Sequence, residues 1–353
     1  MGCGASSARG VRQRVAVDYD GVASLWEALA SGDVLLVRGS WLVSQAEQRG
    51  VLPRRQDCPA EAFIHLPELR DIYKNSFASP PEGGAKRAPV FALSHFWRAR
   101  EHPDGGGETL RIVGQALALR MPEYRGRGFP DVGVFWDWCS LYQSPRSKAE
   151  DQSFGNSLAW INLWYAHSLT TVFLVTDAPE DGLAYHERGW TCFEYQLSWL
   201  IKPADMLNVW PQVVDLGCQP QGRPALAPPD AFRPGQAYGD KSFTCGSDRE
   251  KVAGKFDETC RDVFGCATHL SFARTGWGDA EAAALGALLP LCRQLGRLSL
   301  SFNPFSCLPE SLGGLAALHT LDLEGCAGLA ALPESLGQLA ALKSLALSGC
   351  AGL

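Results

Sequence analysis

Three short apolar runs punctuate the middle of the chain, and each ends on polar side chains. They are residues 90–97 (VFALSHFW), 134–143 (VFWDWCSLYQ) and 171–177 (TVFLVTD), the last followed by 188–194 (RGWTCFE). Each has a β-branched or aromatic core bounded by turn formers, the pattern of a strand buried on both faces. Residues 108–121 and 154–167, which lie between them, carry helical spacing. Strand and helix in alternation predict an α/β fold, a parallel sheet flanked by helices. Such sheets bind ligands beyond the carboxyl ends of their strands. Ser94, His95, Asp137 and Glu194 fall at or just after those ends.

The flanks differ in pattern. Residues 16–88 read as a helical lead-in, with amphipathic spacing at 22–30, a short strand at 34–37 and further helices at 41–48 and 58–75. A loop with two prolines and two glycines closes it at 79–88. At the other end, LPESLG at 308–313 recurs at 332–337, and LHTLDL at 318–323 is echoed at 342–347. An earlier unit runs from Leu270 to Leu298 with a helix-like 280–291 between. Asn303, Cys326 and Cys350 fill the position that bonds the neighbouring turn in an L-x-L-x-x-N/C pattern. This is the period of the leucine-rich repeat, one strand per unit of a short solenoid, over 266–353. Leu353 falls inside a unit, so the expectation is a truncated array. The stretch 211–265 is expected to be linker and cap: 219–238 holds five prolines and two glycines, and 248–264 has helical character.

Composition narrows the class. The 353 residues are 46% hydrophobic and 20% charged, enough apolar material for more than one core. A net charge of −6 without a basic stripe argues against a nucleic-acid partner. Twelve cysteines without a C-x-x-C pair predict reduced thiols and no metal site. The longest apolar region, 161–175, is interrupted by Asn162, His167, Ser168 and two threonines, which argues against a membrane span. The glycine run 105–107 lacks phosphate-loop spacing and reads as a helix entry.

The amino terminus brings the membrane back. Met1-Gly2-Cys3-Gly4-Ala5-Ser6 fits N-myristoylation at Gly2, with Cys3 placed for a second acyl chain. Arg9, Arg12 and Arg14 precede the first acid, Asp18, so residues 1–15 form a basic arm suited to an anionic leaflet. The expected location is the cytoplasmic face of a membrane.

Residues 92–97 (ALSHFW), 135–141 (FWDWCSL) with Gln143, and 188–194 (RGWTCFE) resemble the signatures of the heterokaryon-incompatibility (HET) domain, a relative of the Toll/interleukin-1 receptor (TIR) fold. The resemblance spans 89–210 and implies a TIR-like sheet that self-associates. In TIR enzymes a tryptophan and a glutamate four residues later introduce a helix, and that glutamate carries NAD cleavage. Trp190 and Glu194 have that spacing here. The resemblance thus implies Glu194 as catalytic residue and Ser94, His95, Trp97, Asp137 and Trp190 as substrate-binding, with NAD as substrate and no resident cofactor. Blander readings stand beside these. Acids favour the first helical turn through the dipole alone, Asp137 and Arg188 make a natural ion pair, and tryptophans most often pack. Two functions remain open: a membrane-tethered signalling or defence-type NAD nucleosidase with a protein partner on its repeats, or a non-enzymatic scaffold of the same plan.

Overall fold

The computed structural model describes residues 17–76, 86–99, 101–177, 182–202, 211–217, 223–243 and 245–353. Gly2, Cys3, the basic arm and most of the 79–88 loop lie outside them. The first part of the chain forms α1 (Val22–Ala30), β1 (Leu36–Arg38), α2 (Gly39–Glu47), β2 (Phe63–Ile64), α3 (Leu66–Asn75), β3 (Val90–His95), α4 (Glu108–Gly126), β4 (Gly133–Phe135), α5 (Asp137–Ser140), α6 (Lys148–Ser157), α7 (Ile161–Ala166), β5 (Thr171–Val175), α8 (Gly189–Ser198) and β6 (Val213–Asp215).

These strands make one six-stranded sheet in the order β2-β1-β4-β3-β5-β6. The four strands β4, β3, β5 and β6 run parallel; the apolar runs predict the first three, and β6 comes from the expected linker. The sheet as a whole is mixed, because β1 pairs antiparallel with both β4 and β2. The chain leaves β3 to one side for β4 and crosses to the other for β5, which opens a crevice beyond their carboxyl ends. All six residues of β3 are buried.

Two expected boundaries move. The lead-in is not separate from the sheet, since it supplies β1 and β2. β1 overlaps the strand expected at 34–37, whereas β2, with two residues, is too short for period-2 alternation to register. The lead-in is also docked from below: buried His167 donates from Nε2 toward Gly21 O and Ser24 Oγ, 3.1 Å from each, and burial pulls its pKa down to about 4.

The other change is at the expected linker. β6 completes the sheet at 213–215, and residues 223–232 are packed rather than loose, with Arg223, Leu226, Ala227, Ala231 and Phe232 buried. Buried Arg223 donates to the carbonyls of Trp199, Leu200 and Lys202, at the carboxyl end of α8. Its guanidinium lies 4.4 Å over the Phe272 ring, and Trp277 Nε1 donates to Arg223 O at 3.2 Å. Proline here stiffens a packed connection.

The rest of the chain forms α9 (Asp248–Cys266), β7 (His269–Ser271), α10 (Asp279–Leu288), β8 (Arg297–Ser299), β9 (Thr320–Asp322) and β10 (Ser344–Ala346). The predicted capping helix is α9, and it packs on α7 and α8 as well as on the 3-10 turn Leu289–Leu291. The four strands form a second, all-parallel sheet in which His269, Arg297, Thr320 and Ser344 are register partners. No described helix is long and apolar enough to cross a membrane.

Asn303 is the tightest knot of this second sheet. Its Oδ1 accepts from Thr275 N, Thr275 Oγ1 and Trp277 N, while Nδ2 donates to Phe272 O and Leu300 O. Cys326 occupies the same place one unit on and makes one weak bond, Sγ to Leu300 O at 3.3 Å. Orphaning several buried backbone groups costs far more than losing a thiol contact. Asn303→Ala is expected to lower stability by about 3 kcal/mol and Cys326→Ala by about 1 kcal/mol. Denaturant unfolding of the two variants beside the parent chain measures this difference.

Candidate functional site

A hydroxyl in a strand buried throughout must find partners. Ser94 finds two: its Oγ lies 2.5 Å from Glu194 Oε2 on α8 and 2.5 Å from the hydroxyl of Tyr185, in the 3-10 turn Tyr185–Glu187. Tyr165, from α7, bonds the same carboxyl group, with its hydroxyl also 3.3 Å from Leu93 O. Tyr185 and Tyr165 are buried, whereas Glu194 is half-buried.

The proton on Glu194 follows from this arrangement. Burial raises its pKa, and the negative charge of Asp137 adds to the rise. The bonds from Ser94 and Tyr165 pull the other way, and the balance is about 8.

Asp137 has the opposite character. It opens α5 and accepts from Trp97 Nε1 at 2.8 Å and from Trp138 N at 2.7 Å, with His95 Nε2 3.4 Å away. Burial pushes its pKa up, but His95, Trp97 and Trp138 together outweigh burial and hold it below the usual range. His95 is 2% exposed and sets its ring edge-on to Trp136 at 5.3 Å, with Nδ1 left without a partner. Trp97 meets Trp138 edge-on at 5.6 Å. The crevice therefore holds one carboxyl that keeps its proton near neutrality and one that has lost it, a division suited to acid and base roles.

Five of the six expected site residues thus meet at the carboxyl ends of β3 and β4: Ser94, His95, Trp97, Asp137 and Glu194. Trp190 does not join them. Its indole donates to Asp248 Oδ2 at 3.1 Å and its ring packs edge-on against Phe193, so it fastens α8 to the start of α9. Nor does the helix dipole account for Glu194, which is the sixth residue of α8; the first turn contains no acid.

Arg188 makes no pair with Asp137. It donates to Leu183 O and Trp97 O and lies over the Phe96 ring. The glycine run is a helix entry: Gly107 sits at φ 68° before α4, and the Asp104 carboxylate accepts from Thr109 N and Leu110 N. Tyr165 and Tyr185 were not legible as site residues, because neither lies at the polar end of an apolar run.

Among the described residues no group of His, Cys, Asp and Glu is arranged to hold a metal. Two open recesses of about 300 and 270 Å³ lie between α2 and α4 and are lined by none of these side chains.

The Glu194 proton leaves a signature in stability. The folded chain keeps it up to about pH 8, whereas an unfolded chain releases it near 4.5. The associated stability is complete below pH 4.5 and is lost as pH rises through about 8. Glu194→Gln cannot ionise, so it should gain on the parent chain between pH 5 and 8 and level off above. The expected gain is about 2 kcal/mol, less than a fully buried carboxyl would give because water reaches part of the side chain. Denaturant unfolding across that range measures it, and a constant difference would mean that Glu194 is already ionised in the folded chain.

No family model matches this chain, and no curated protein matches it at a significant level.

Proposed function

We propose that this is a signalling or defence-type protein held at a membrane through acyl chains on Gly2 and Cys3. Its six-stranded sheet is a HET/TIR-like effector that cleaves the bond between nicotinamide and ribose in NAD. Its second sheet is a leucine-rich-repeat array that takes a protein partner. The observation that carries the enzymatic part is the half-buried Glu194, whose carboxyl is bonded to Ser94 over the carboxyl end of β3 and set near the ionised Asp137.

The chemistry suits these groups. Nicotinamide leaves from NAD as a neutral ring, having been cationic in the substrate, so departure needs no strong acid. It is helped by an anion near the ribose, where positive character develops. Glu194 holds a proton in the free chain, and a pyridinium cation docking beside it favours the carboxylate. Substrate binding then creates the anion where it is needed. Trp97 presents a half-buried ring beside Asp137.

The repeat reading rests on the second sheet's parallel strands, one per sequence unit. Cys326 and Cys350 bond the carbonyls of Leu300 and Leu323 from the preceding units. The outward row includes Ser271, Ser299 and Asp322, with Ser299 Oγ donating to Asp322 Oδ2 at 2.8 Å, a polar face suited to a protein surface. One acyl chain binds a bilayer marginally and two bind it stably. Confinement there raises the effective concentration at which sheet units meet.

The scaffold reading has its own support. Glu194 is satisfied within the protein by Ser94, and Trp190 is engaged by Asp248. NAD consumption by the full chain on lipid vesicles separates the two. Release of nicotinamide that falls about 100-fold or more in Glu194→Ala supports the enzyme. Absence of turnover by the self-associated parent chain overturns it and leaves the scaffold.

A further inference from the structure

Two thiols share one acceptor beneath the site. Cys58 closes the 3-10 turn Arg55–Asp57 and donates to Pro53 O at 3.6 Å; Cys139, in α5, donates to the same oxygen at 3.3 Å. Both are free in this structure, Cys139 buried and Cys58 half-buried. The backbones that carry them are laced together. Gln56 Nε2 donates to Gln143 O at 2.6 Å, and Gln143 N donates back to Gln56 Oε1 at 3.1 Å. Arg55 Nη1 donates to Ser140 O at 3.0 Å, and Trp138 Nε1 to Leu52 O at 3.0 Å. These bonds hold the two sulfurs as neighbours although their segments are distant in sequence.

We propose that Cys58 and Cys139 form a modification site: a thiol pair that a peroxide converts to a disulfide, fastening the 52–58 segment to α5 two residues from Asp137. The two roles follow from exposure and environment. Cys58 is the half-buried residue of the pair, and the neighbouring Cys139 thiol holds it below the ordinary thiol range against the opposing effects of burial and Asp57. Burial pushes Cys139 far up, so it waits as the resolving thiol.

The Cys58 thiolate attacks the peroxide O–O bond, which breaks to leave Cys58 as a sulfenic acid and to release hydroxide. Cys139 sulfur then attacks the sulfenic sulfur, the S–O bond breaks, and the departing hydroxide takes the thiol proton as water. Overall two thiols and one hydrogen peroxide give one disulfide and two waters.

The consequence reaches the crevice through a short lever. α5 has four residues and begins at Asp137, whose carboxylate holds Trp97 and faces His95. A disulfide brings the sulfurs to about 2.05 Å and replaces both contacts to Pro53 O. It thereby draws α5 toward the 3-10 turn and disturbs the packing of Trp138 and Trp97. This proposal does not depend on NAD cleavage.

The test treats the full chain with a small excess of hydrogen peroxide, blocks the remaining thiols by alkylation and maps the peptides by mass spectrometry. The expected product is a Cys58–Cys139 linked peptide in a chain lighter by two hydrogens. Dithiothreitol should reverse it, together with a change in tryptophan fluorescence. Cys139→Ser should instead accumulate a Cys58 sulfenic acid that dimedone traps. Cys58→Ser, at the half-buried partner, should melt like the parent chain yet form no link. Over-oxidation of Cys58 without a link in the parent chain, or linkage of Cys139 to a different cysteine, overturns the proposal.

Discussion

Ser94 cannot stand alone at the end of β3. The strand is buried along its whole length, so a hydroxyl placed there must be bonded by groups that other elements deliver. That requirement brings the Tyr185 turn and the second turn of α8 onto the sheet and places Glu194 against a buried oxygen. Once there, the carboxyl loses much of its hydration and meets the field of Asp137, which accounts for its retained proton. A single polar residue in the central strand thus sets the position of a helix and the protonation of its one carboxyl.

Asp137 repeats the logic with the opposite outcome. It, too, follows a buried strand, but it meets donors: an indole, a backbone N–H and an imidazole. The two acids differ because burial and the charge of Asp137 outweigh the hydroxyl donors of Glu194, whereas the imidazole, indole and backbone N–H donors of Asp137 outweigh its burial. The same lacing that steadies α5 around Asp137 also sets Cys139 beside Cys58, so any change in that thiol pair is felt at the crevice.

The two sheets are joined by a packed seam. Arg223 satisfies carbonyls at the end of α8 and at the same time lies against Phe272 and Trp277 of the second sheet's first unit. α9 adds to the seam through Asn162 Nδ2, which donates to Thr259 Oγ1 at 2.6 Å, and through Trp190. Burial draws the Arg223 pKa down to about 9, and its three backbone carbonyl partners offset the cost of holding that cation away from water.

Much of this could be read along the chain. The parallel strands β3, β4 and β5 follow from unbroken apolar runs, because burial on both faces demands apolar residues at every position. The strands of the second sheet follow from a leucine period, because stacked units must repeat the same contacts. Ser94, Asp137 and Glu194 were legible because polar residues ending such runs have few places to go. The sequence by itself therefore determined the parallel core, the repeating unit and most of the crevice residues. Tertiary structure alone decided the rest. β2 and β6 are too short to carry a period and exist only because the sheet edges pair them, and the place of β1 between β2 and β4, although a strand was legible at 34–37, was set by the same pairing. The proline-rich segment is a strut because Arg223 finds carbonyls belonging to residues far from it in sequence. Trp190 faces Asp248 rather than the crevice, and Tyr165 and Tyr185 reach Glu194 from a helix and a turn. Those outcomes depend on which groups meet across the fold, and spacing along a chain does not encode a meeting between distant segments.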